Sequence, residues 1–376
     1  MTLNRVLQIA LLTTIPLFIC APNLRALSAD CIEPQSGDTP RFGDALVAND
    51  RYLAIGDTQA SQIVVYRHTA QRQWVRLRTI GLPANPPIVQ PNSNFGYSVT
   101  YKLAISGDKL VIGKVVSRAR PSSQEAAFYP YKPPADRGMT YDGAVYRTSI
   151  ASNSPLERID RPQEKELAGF SVAADGGKIA FSVATYGSKS PGYVTVISGS
   201  RRYSLAASGE IAMNKNLLVA GSTISGQQGK LAIFNLVDAT PSPRNLAIPT
   251  TVRDLALADK YIVVAEQLFN GFTPLDRDRA MLPKTWFVNI ADLSITSIDG
   301  FGKISAYGNK LVRSYPSTAD NEAIGKIELF NLSTMPPRSL GSRTADIQRS
   351  FLMKNYLFTI ESQNFNGAIC ITPSAE

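Results

Sequence analysis

Histidine is almost absent from this chain, which has His68 alone among its 376 residues. A Ser-His-Asp triad, a histidine metal cluster or a histidine acid–base pair would therefore have to be built on that one residue. His68 follows an apolar run and precedes a polar loop, so we interpret it as an exposed residue at a strand end. No catalytic motif is found, and we expect neither catalytic residues nor a cofactor.

Long apolar runs are missing after the N-terminus. Residues 6–20 are apolar and follow Arg5, but this run contains Pro16 and falls short of the ~20 residues of a membrane span. The small residues of Ala26-Leu27-Ser28-Ala29 suit a signal peptidase. We therefore predict a signal peptide over residues 1–29, a secreted or periplasmic mature chain over 30–376, and no transmembrane span. Acylation of Cys20 is the alternative, but Ile19 stands where a lipoprotein signal needs a small side chain.

Seven apolar hairpins recur along the sequence. In each of them an apolar run breaks at a tight polar turn and continues at once as a second apolar run. The turns are Asn49-Asp50-Arg51, Gly107-Asp108-Lys109, Gly176-Gly177-Lys178, Asn214-Lys215-Asn216, Ala258-Asp259-Lys260, Gly308-Asn309-Lys310 and Met353-Lys354-Asn355. Asn, Asp and Gly tolerate the positive φ angles of two-residue hairpin loops, so each unit is predicted to be a β-hairpin.

A third strand follows each hairpin, and usually a fourth. Residues 63–66 and 74–80 are the examples after the first hairpin. Four antiparallel strands that recur at about 40 to 70 residues are typical of a propeller blade, whereas a sandwich has no such long period. We therefore predict an all-β fold, a seven-bladed β-propeller of four-stranded antiparallel blades.

The last blade is short of a strand. Only five residues follow Ile371, and the segment around residues 31–34 has no blade of its own. An open ring would leave two unpaired sheet edges, so we predict that the N-terminal segment closes the propeller as the outer strand of blade 7. That pairing would bring Cys31 close to Cys370 and favours a disulfide. Two buried free thiols are the alternative.

The formal net charge is +9. Removal of residues 1–29 takes away Arg5 and Arg25 and no acidic residue, which lowers the charge to +7. Such an excess favours anionic partners, and it is equally an ordinary aid to solubility. Nucleic acid is a poor candidate, because the chain is predicted to be exported and has no nucleic-acid module. We expect a monomer.

Three segments resemble the FG-GAP repeat of the integrin α-chain propeller. They are Phe95-Gly96-Tyr97-Ser98-Val99 with Ser106-Gly107-Asp108 and Asp142-Gly143-Ala144, then Phe42-Gly43-Asp44-Ala45-Leu46, and in part Gly169-Phe170-Ser171-Val172-Ala173. The resemblance implies a Phe ring packed between blades and a Gly that permits close backbone approach. The other four units match by their hairpin pattern only.

The departures from this family concern function. The Ala-Pro that follows the second-strand Gly in the family is absent, because Gly56 and Gly113 precede other residues. Many integrin blades also carry a calcium loop, in which several oxygen ligands converge from one short turn. The nearest segment here is Asp276-Arg277-Asp278-Arg279. Its arginines compete for the carboxylates, so we interpret it as a solvated ion-pair loop and predict no metal site.

Two connections between second and third strands are long, over residues 114–142 and 267–284. Strands alternate in direction, so these connections share one face with the links between blades, among them residues 81–94. Recognition is often placed on long insertions, with Tyr, Phe and Arg as anchors. Insertions whose aromatic residues fold back over the blade are the alternative. The candidate binding residues are Arg118, Arg120, Tyr129, Tyr131, Lys132, Arg137, Phe269, Phe272, Arg277 and Arg279.

The sequence therefore predicts an exported, non-catalytic propeller that binds a protein or glycan partner through this face, with an anionic partner of either kind as one option. A polysaccharide lyase or glycosidase with acids at the propeller axis is the first alternative. A purely structural role in the envelope is the second.

Overall fold

The computed structural model describes most of the chain after residue 29. The described ranges are 30–39, 41–71, 73–84, 96–119, 140–160, 166–185, 192–223, 229–250, 252–265, 284–300, 302–315, 325–344, 347–353, 356–363 and 366–373. They contain 28 β-strands and no helix, which confirms the all-β class. In these ranges there is accordingly no helix with the length and apolar character of a membrane span.

The strands form seven antiparallel sheets of four strands each, so the predicted seven-bladed propeller is confirmed. Blades 1 to 3 consist of β2 (Phe42–Ala48), β3 (Tyr52–Asp57), β4 (Gln62–His68) and β5 (Trp74–Gly81); β6 (Gly96–Ser106), β7 (Lys109–Ala119), β8 (Thr140–Ser149) and β9 (Glu157–Arg158); and β10 (Glu166–Asp175), β11 (Lys178–Thr185), β12 (Tyr193–Ser198) and β13 (Arg201–Leu205).

Blades 4 to 7 follow the same order, and the first strand of each blade is the innermost. They consist of β14 (Glu210–Met213), β15 (Leu217–Thr223), β16 (Gly229–Asn235) and β17 (Pro243–Ile248); β18 (Asp254–Leu257), β19 (Tyr261–Ala265), β20 (Lys284–Asn289) and β21 (Ile295–Asp299); β22 (Lys303–Tyr307), β23 (Lys310–Tyr315), β24 (Lys326–Asn331) and β25 (Arg338–Thr344); and β26 (Ile347–Met353), β27 (Tyr356–Gln363), β28 (Asn366–Pro373) and β1 (Asp30–Ile32). The innermost strands of consecutive blades contact one another around the ring, and β26 contacts β2.

Blade 7 contains strands from both ends of the described chain. β1 pairs antiparallel with β28, so that Cys31 lies opposite Cys370 and Ile32 lies opposite Ile369. The Sγ atoms of the two cysteines are bonded at 2.10 Å. Both the closing strand and the disulfide are therefore confirmed. Such a bond is compatible with an extracellular protein, because disulfides persist in oxidising compartments.

Two-residue turns join the first and second strands of the blades. The Asn49 side chain accepts hydrogen bonds from the backbone N–H groups of Arg51 and Tyr52, at 2.9 Å each. Gly107 and Gly308 have φ angles of 62° and 59°, in the left-handed region that glycine adopts without strain. The polar turns thus form because Asn side chains accept hydrogen bonds from the backbone of the turn and glycines adopt its positive φ angles.

The hydrophobic core lies between neighbouring blades. Phe42 is 2% exposed and packs with Phe358 and Ile360 of blade 7. Between blades 2 and 3 the backbones approach so closely that a Cβ atom on Gly113 would lie 2.3 Å from the carbonyl oxygen of Gly169. Blade-to-blade contact therefore depends on both large rings and bare backbone.

The connection predicted over residues 114–142 is shorter than expected. β7 continues to Ala119 and β8 begins at Thr140. Val115 and Val116 pair with Gly143 and Asp142 across the two strands. Backbone pairing with the long strand β6 extends β7 beyond the predicted end of the hairpin. No local signal in the sequence marks the length of β6.

His68 is not an exposed residue, and this prediction was wrong. It is partly buried at the end of β4, with its ring centroid 4.8 Å from that of Trp74. Its Nε2 atom lies 3.4 Å from the hydroxyl of Tyr356 in blade 7. Closure of the ring brings Tyr356 against blade 1, and this contact covers the imidazole.

Candidate functional site

Blade 2 rises above blade 1 on the face of the second-to-third connections. Its strands β6, β7 and β8 have 11, 11 and 10 residues, whereas β3 of blade 1, whose connection to β4 is fully described, has six. At about 3.3 Å per residue, β7 is longer than β3 by roughly 17 Å. The connection of residues 120–139 starts and ends at this raised edge.

Arg118 is the one predicted binding residue that the structure describes. It lies in β7 rather than in a loop, and its cross-strand neighbours are Tyr97 and Thr140. The other predicted binding residues lie outside the described ranges: Arg120, Tyr129, Tyr131, Lys132, Arg137, Phe269, Phe272, Arg277 and Arg279. Asp276 and Asp278 lie outside them too. Within the described ranges, no group of His, Cys, Asp and Glu side chains that could hold a metal ion is found.

One position of the innermost strand is polar in six of the seven blades. It lies four residues before the residue that precedes each two-residue turn, namely Asn49, Ser106, Asp175, Asn214, Ala258, Tyr307 and Met353. We call the residues at this position the axial ring. The axial ring is Lys102, Ser171, Glu210, Asp254, Lys303 and Arg349, with Ala45 at the same position of blade 1. The sequence analysis missed this set. The constant spacing from each turn is the signal that could have found it.

Two members of the axial ring join neighbouring innermost strands. The Ser171 hydroxyl accepts a hydrogen bond from the backbone N–H of Ile211 at 3.1 Å. A carboxylate oxygen of Asp254 accepts one from the backbone N–H of Ile304 at 2.9 Å. Each side chain reaches the next blade, so this position helps to hold the ring together.

Lys102 and Glu210 form an ion pair between the innermost strands of blades 2 and 4. The distance from Nζ to Oε1 is 3.0 Å, although blade 3 lies between these two blades in the order of the ring. Burial by itself raises the pKa of Glu210, but Lys102, Lys303 and the Ser171 hydroxyl together lower it below its ordinary value. Glu210 is therefore anionic at neutral pH. It is an acceptor and not a proton donor.

Replacement of Glu210 by Gln should destabilise the protein by about 2 to 4 kcal/mol at pH 7, because Lys102 would lose its carboxylate partner. The Lys102 side chain is 27% exposed, so we expect less than the cost of a fully buried lone charge. The folded-state pKa of Glu210 is lowered, so its contribution is complete above the ordinary carboxyl pKa and is lost as the pH falls through the folded-state value. Urea unfolding of both proteins at pH 7 and at successively lower pH measures this difference.

Glu157→Gln is the matched control for this experiment. Glu157 pairs with Arg147 at 2.6 Å, but the two side chains are 58% and 31% exposed. An exposed pair contributes about 0 to 1 kcal/mol. Equal losses of unfolding free energy in the two variants would contradict the assignment of Lys102 and Glu210 as a buried ion pair. A Glu210→Gln loss that stays constant as the pH falls would contradict it as well.

Three carboxylates lie near Tyr307 at the opposite mouth of the propeller, on the hairpin-turn face. Tyr307 ends the innermost strand of blade 6 and is 45% exposed. Partial burial is the main cause of its raised pKa, and the charges of Asp50, Asp175 and Asp259 raise it further. These acids come from blades 1, 3 and 5, so they converge near the axis.

A second charged network joins blades 5 and 6. Arg313 is 4% exposed, and it donates to Glu328 at 2.6 Å and to the hydroxyl of Thr285 at 2.8 Å. Tyr315 and Lys326 also donate to Glu328, at 2.8 and 2.7 Å. Burial raises the pKa of Glu328, but the hydrogen bonds from Lys326, Arg313 and Tyr315 lower it overall. Arg313 is thus committed to internal partners.

Lys114 begins the segment that was predicted to be a loop, but it is a packing residue. It is 5% exposed, and its ammonium group donates to the carbonyl of Pro83 in the link between blades 1 and 2. Burial lowers its pKa, while the nearby charge of Asp142 acts in the opposite direction. This amine fastens the inter-blade link to β7.

Comparison with known proteins supports the fold alone. No protein-family model matches the sequence, and no curated protein matches it. A chain of the mitotic checkpoint complex superposes with a TM-score of 0.52 at 11% identity, over 99% of each chain. The WD40 domain of Pan2 from Neurospora crassa superposes with a TM-score of 0.50 at 10% identity, over 92% of this chain and 95% of that one. This chain is a β-propeller, a fold consistent with protein binding.

Proposed function

We propose that this chain is an exported, non-catalytic propeller that binds a protein or glycan partner through the face of the second-to-third connections. The raised edge of blade 2 is the observation that carries the proposal. The three long strands of this blade lead into residues 120–139, a segment whose sequence contains several aromatic and basic residues. Rigid scaffolds that carry long loops are a common arrangement for recognition.

Charge favours an anionic partner on this face. The connection of residues 120–139 contains three basic residues, Arg120, Lys132 and Arg137, against two acidic ones, and the chain as a whole is basic. Electrostatic attraction would speed the encounter with an acidic glycan or an acidic protein surface.

The state of the axial acids supports binding over catalysis. Glu210 is held as an anion by Lys102, and Asp254 accepts hydrogen bonds from the backbone N–H groups of Leu255 and Ile304. A general acid needs a raised pKa, and Glu210 has the reverse. Both side chains are used to hold the blades in place.

We also propose that this chain is related to the FG-GAP propellers. Phe42 packs between blades 1 and 7, and Gly43 has a φ of 100°, in support of it. Gly43 lies six residues before Asn49, the last residue ahead of its turn, whereas Gly96 lies ten residues before Ser106. The Phe-Gly pairs of the first two blades are therefore not at equivalent positions.

A triple variant tests the face directly. Tyr129→Ala, Tyr131→Ala and Arg137→Ala together should abolish retention on immobilised polygalacturonate, alginate or an acidic protein that retains the wild type. Surface changes away from special features shift stability by about ±0.5 kcal/mol, so the melting temperature should be nearly constant. Affinity chromatography and differential scanning calorimetry provide the two measurements.

The matched control carries Arg51→Ala and Tyr307→Ala on the hairpin-turn face, where both side chains are exposed. This control should bind like the wild type. Equal loss of retention in both variants would remove the face assignment. A fall of many degrees in the melting temperature of the triple variant would show that its side chains pack in the fold, and would count against the proposal as well.

A further inference from the structure

The described part of the strand that closes the ring, β1, covers only the middle of the outer edge of β28. β28 spans Asn366–Pro373, and among the residues that the structure describes β1 pairs with three of them, Ile369, Cys370 and Ile371. Apart from the disulfide, the apolar contact of β1 is Ile32, which is partly buried against the cluster that contains Ile369 and Ile371. Three residue pairs and one side chain are a small interface for a strand.

After β1 the chain makes a second set of contacts, between residues 38–39 and blade 1. Asp38 accepts hydrogen bonds from Arg76 at 3.3 Å and from Gln62 at 3.4 Å. The Thr39 backbone N–H and hydroxyl both donate to Asp57. These contacts do not involve β1, so a released β1 would swing about residues 33–34 while the rest of the propeller stays folded.

The disulfide is accessible from the side of Cys31. Cys31 is exposed, whereas Cys370 is 5% exposed. A small dithiol can attack the Cys31 sulfur as a thiolate, which breaks the Cys31–Cys370 bond and forms a mixed disulfide. The second thiol of the reagent then displaces Cys31, so the protein gains two thiols and the reagent becomes its own disulfide.

We propose that, once the Cys31–Cys370 bond is reduced, the outer edge of β28 takes up the β1 strand of a second copy of this chain. The second copy is the fitting occupant because its β1 restores every contact that is lost, with Ile32 opposite Ile369 and Cys31 opposite Cys370. The edge it covers carries apolar residues, and an unpaired apolar edge favours pairing with another strand. Exchange in both directions makes a symmetric dimer from the contacts of the monomer.

The test uses two chains that cannot close on themselves. One carries Cys31→Ser and the other Cys370→Ser, and both carry Cys20→Ser to remove the third thiol. The two chains are mixed in tris(2-carboxyethyl)phosphine and then oxidised by dialysis. We expect a covalent pair in which Cys31 of one chain is bonded to Cys370 of the other, identified by peptide mapping in mass spectrometry. Its yield should exceed that of pairs from either chain alone at least fivefold.

A third chain separates strand pairing from random collision of thiols. Ile32→Lys in the Cys370→Ser chain keeps Cys31 but removes the apolar contact of β1, so the yield of the covalent pair should fall at least fivefold. Equal yields with and without Ile32→Lys would overturn the proposal, as would the absence of a covalent pair.

Hydrogen exchange on the wild type covers the case in which a cysteine variant fails to fold. In the reduced protein at low micromolar concentration, backbone amides of 366–373 should exchange at least tenfold faster than in the oxidised protein, and amides of 217–223 in blade 4 should not change. Concentration to the millimolar range should restore slow exchange at 366–373, with a dimer in light scattering. Unchanged exchange on reduction, or fast exchange that persists in a millimolar monomer, would overturn the proposal.

Discussion

A chain with Cys31→Ser and Cys370→Ser should lose about 5 to 6 kcal/mol of unfolding free energy relative to the oxidised protein. The disulfide joins residues 339 positions apart, so it restricts nearly the whole unfolded chain. In the chain-entropy model, a loop of this length corresponds to that free energy at 25 °C. Guanidinium unfolding of the oxidised wild type and of the double variant measures the difference.

Reduction of the wild type is the control for this prediction. Dithiothreitol should lower the unfolding midpoint of the wild type to that of the double variant and leave the variant itself unchanged. A double variant within about 1 kcal/mol of the oxidised wild type would contradict the expectation. In that case pairing and packing would close the ring without the bond.

Gly113→Ala should destabilise the protein by about 3 kcal/mol, near the upper end of the usual cost of overpacking. The added Cβ atom would lie 2.3 Å from the carbonyl oxygen of Gly169 and 2.9 Å from Cγ1 of Val172. The nearest obstacle is backbone, which has no rotamer to change. Blades 2 and 3 would have to move apart, and thermal unfolding would show this as a lower melting temperature.

Gly81→Ala is the matched control, because Gly81 also lies in a strand and a Cβ atom added there would meet nothing within 4 Å beyond its chain neighbours. The change should be neutral or stabilising by up to about 1 kcal/mol, since alanine restricts the unfolded chain. A similar loss in both variants would mean that strand glycines matter for a general reason and that the contact with Gly169 is not special.

Local signals in the sequence were sufficient for the repeating unit. The polar turns, such as Gly107-Asp108 and Gly308-Asn309, stand between apolar runs because two-residue hairpin loops need residues that tolerate positive φ. That requirement is met within a few residues, so counting turns was enough to predict seven hairpins. The missing outer strand of blade 7 also predicted the partner of β1, and with it the Cys31–Cys370 bond.

The candidate site was less visible from the sequence. The predicted binding residues were chosen by residue type in two long connections, and the structure describes one of them, Arg118, which it places in β7. The length of β7 depends on pairing with β6 and β8 along the whole of the raised edge. Such pairing is a property of three strands together, and the composition of any one of them does not report it.

The sequence by itself therefore determined the hairpins and the number of blades, because both depend on turn chemistry. It also determined the closure of the ring, because blade 7 has only three strands of its own and needs a fourth. Only the tertiary structure decided which side chains contact one another between blades. Lys102 and Glu210 are 108 positions apart and His68 and Tyr356 are 288 apart, and each pair meets because the closed ring brings its blades together. Contacts of this kind are set by the curvature of the ring, which no single repeat contains.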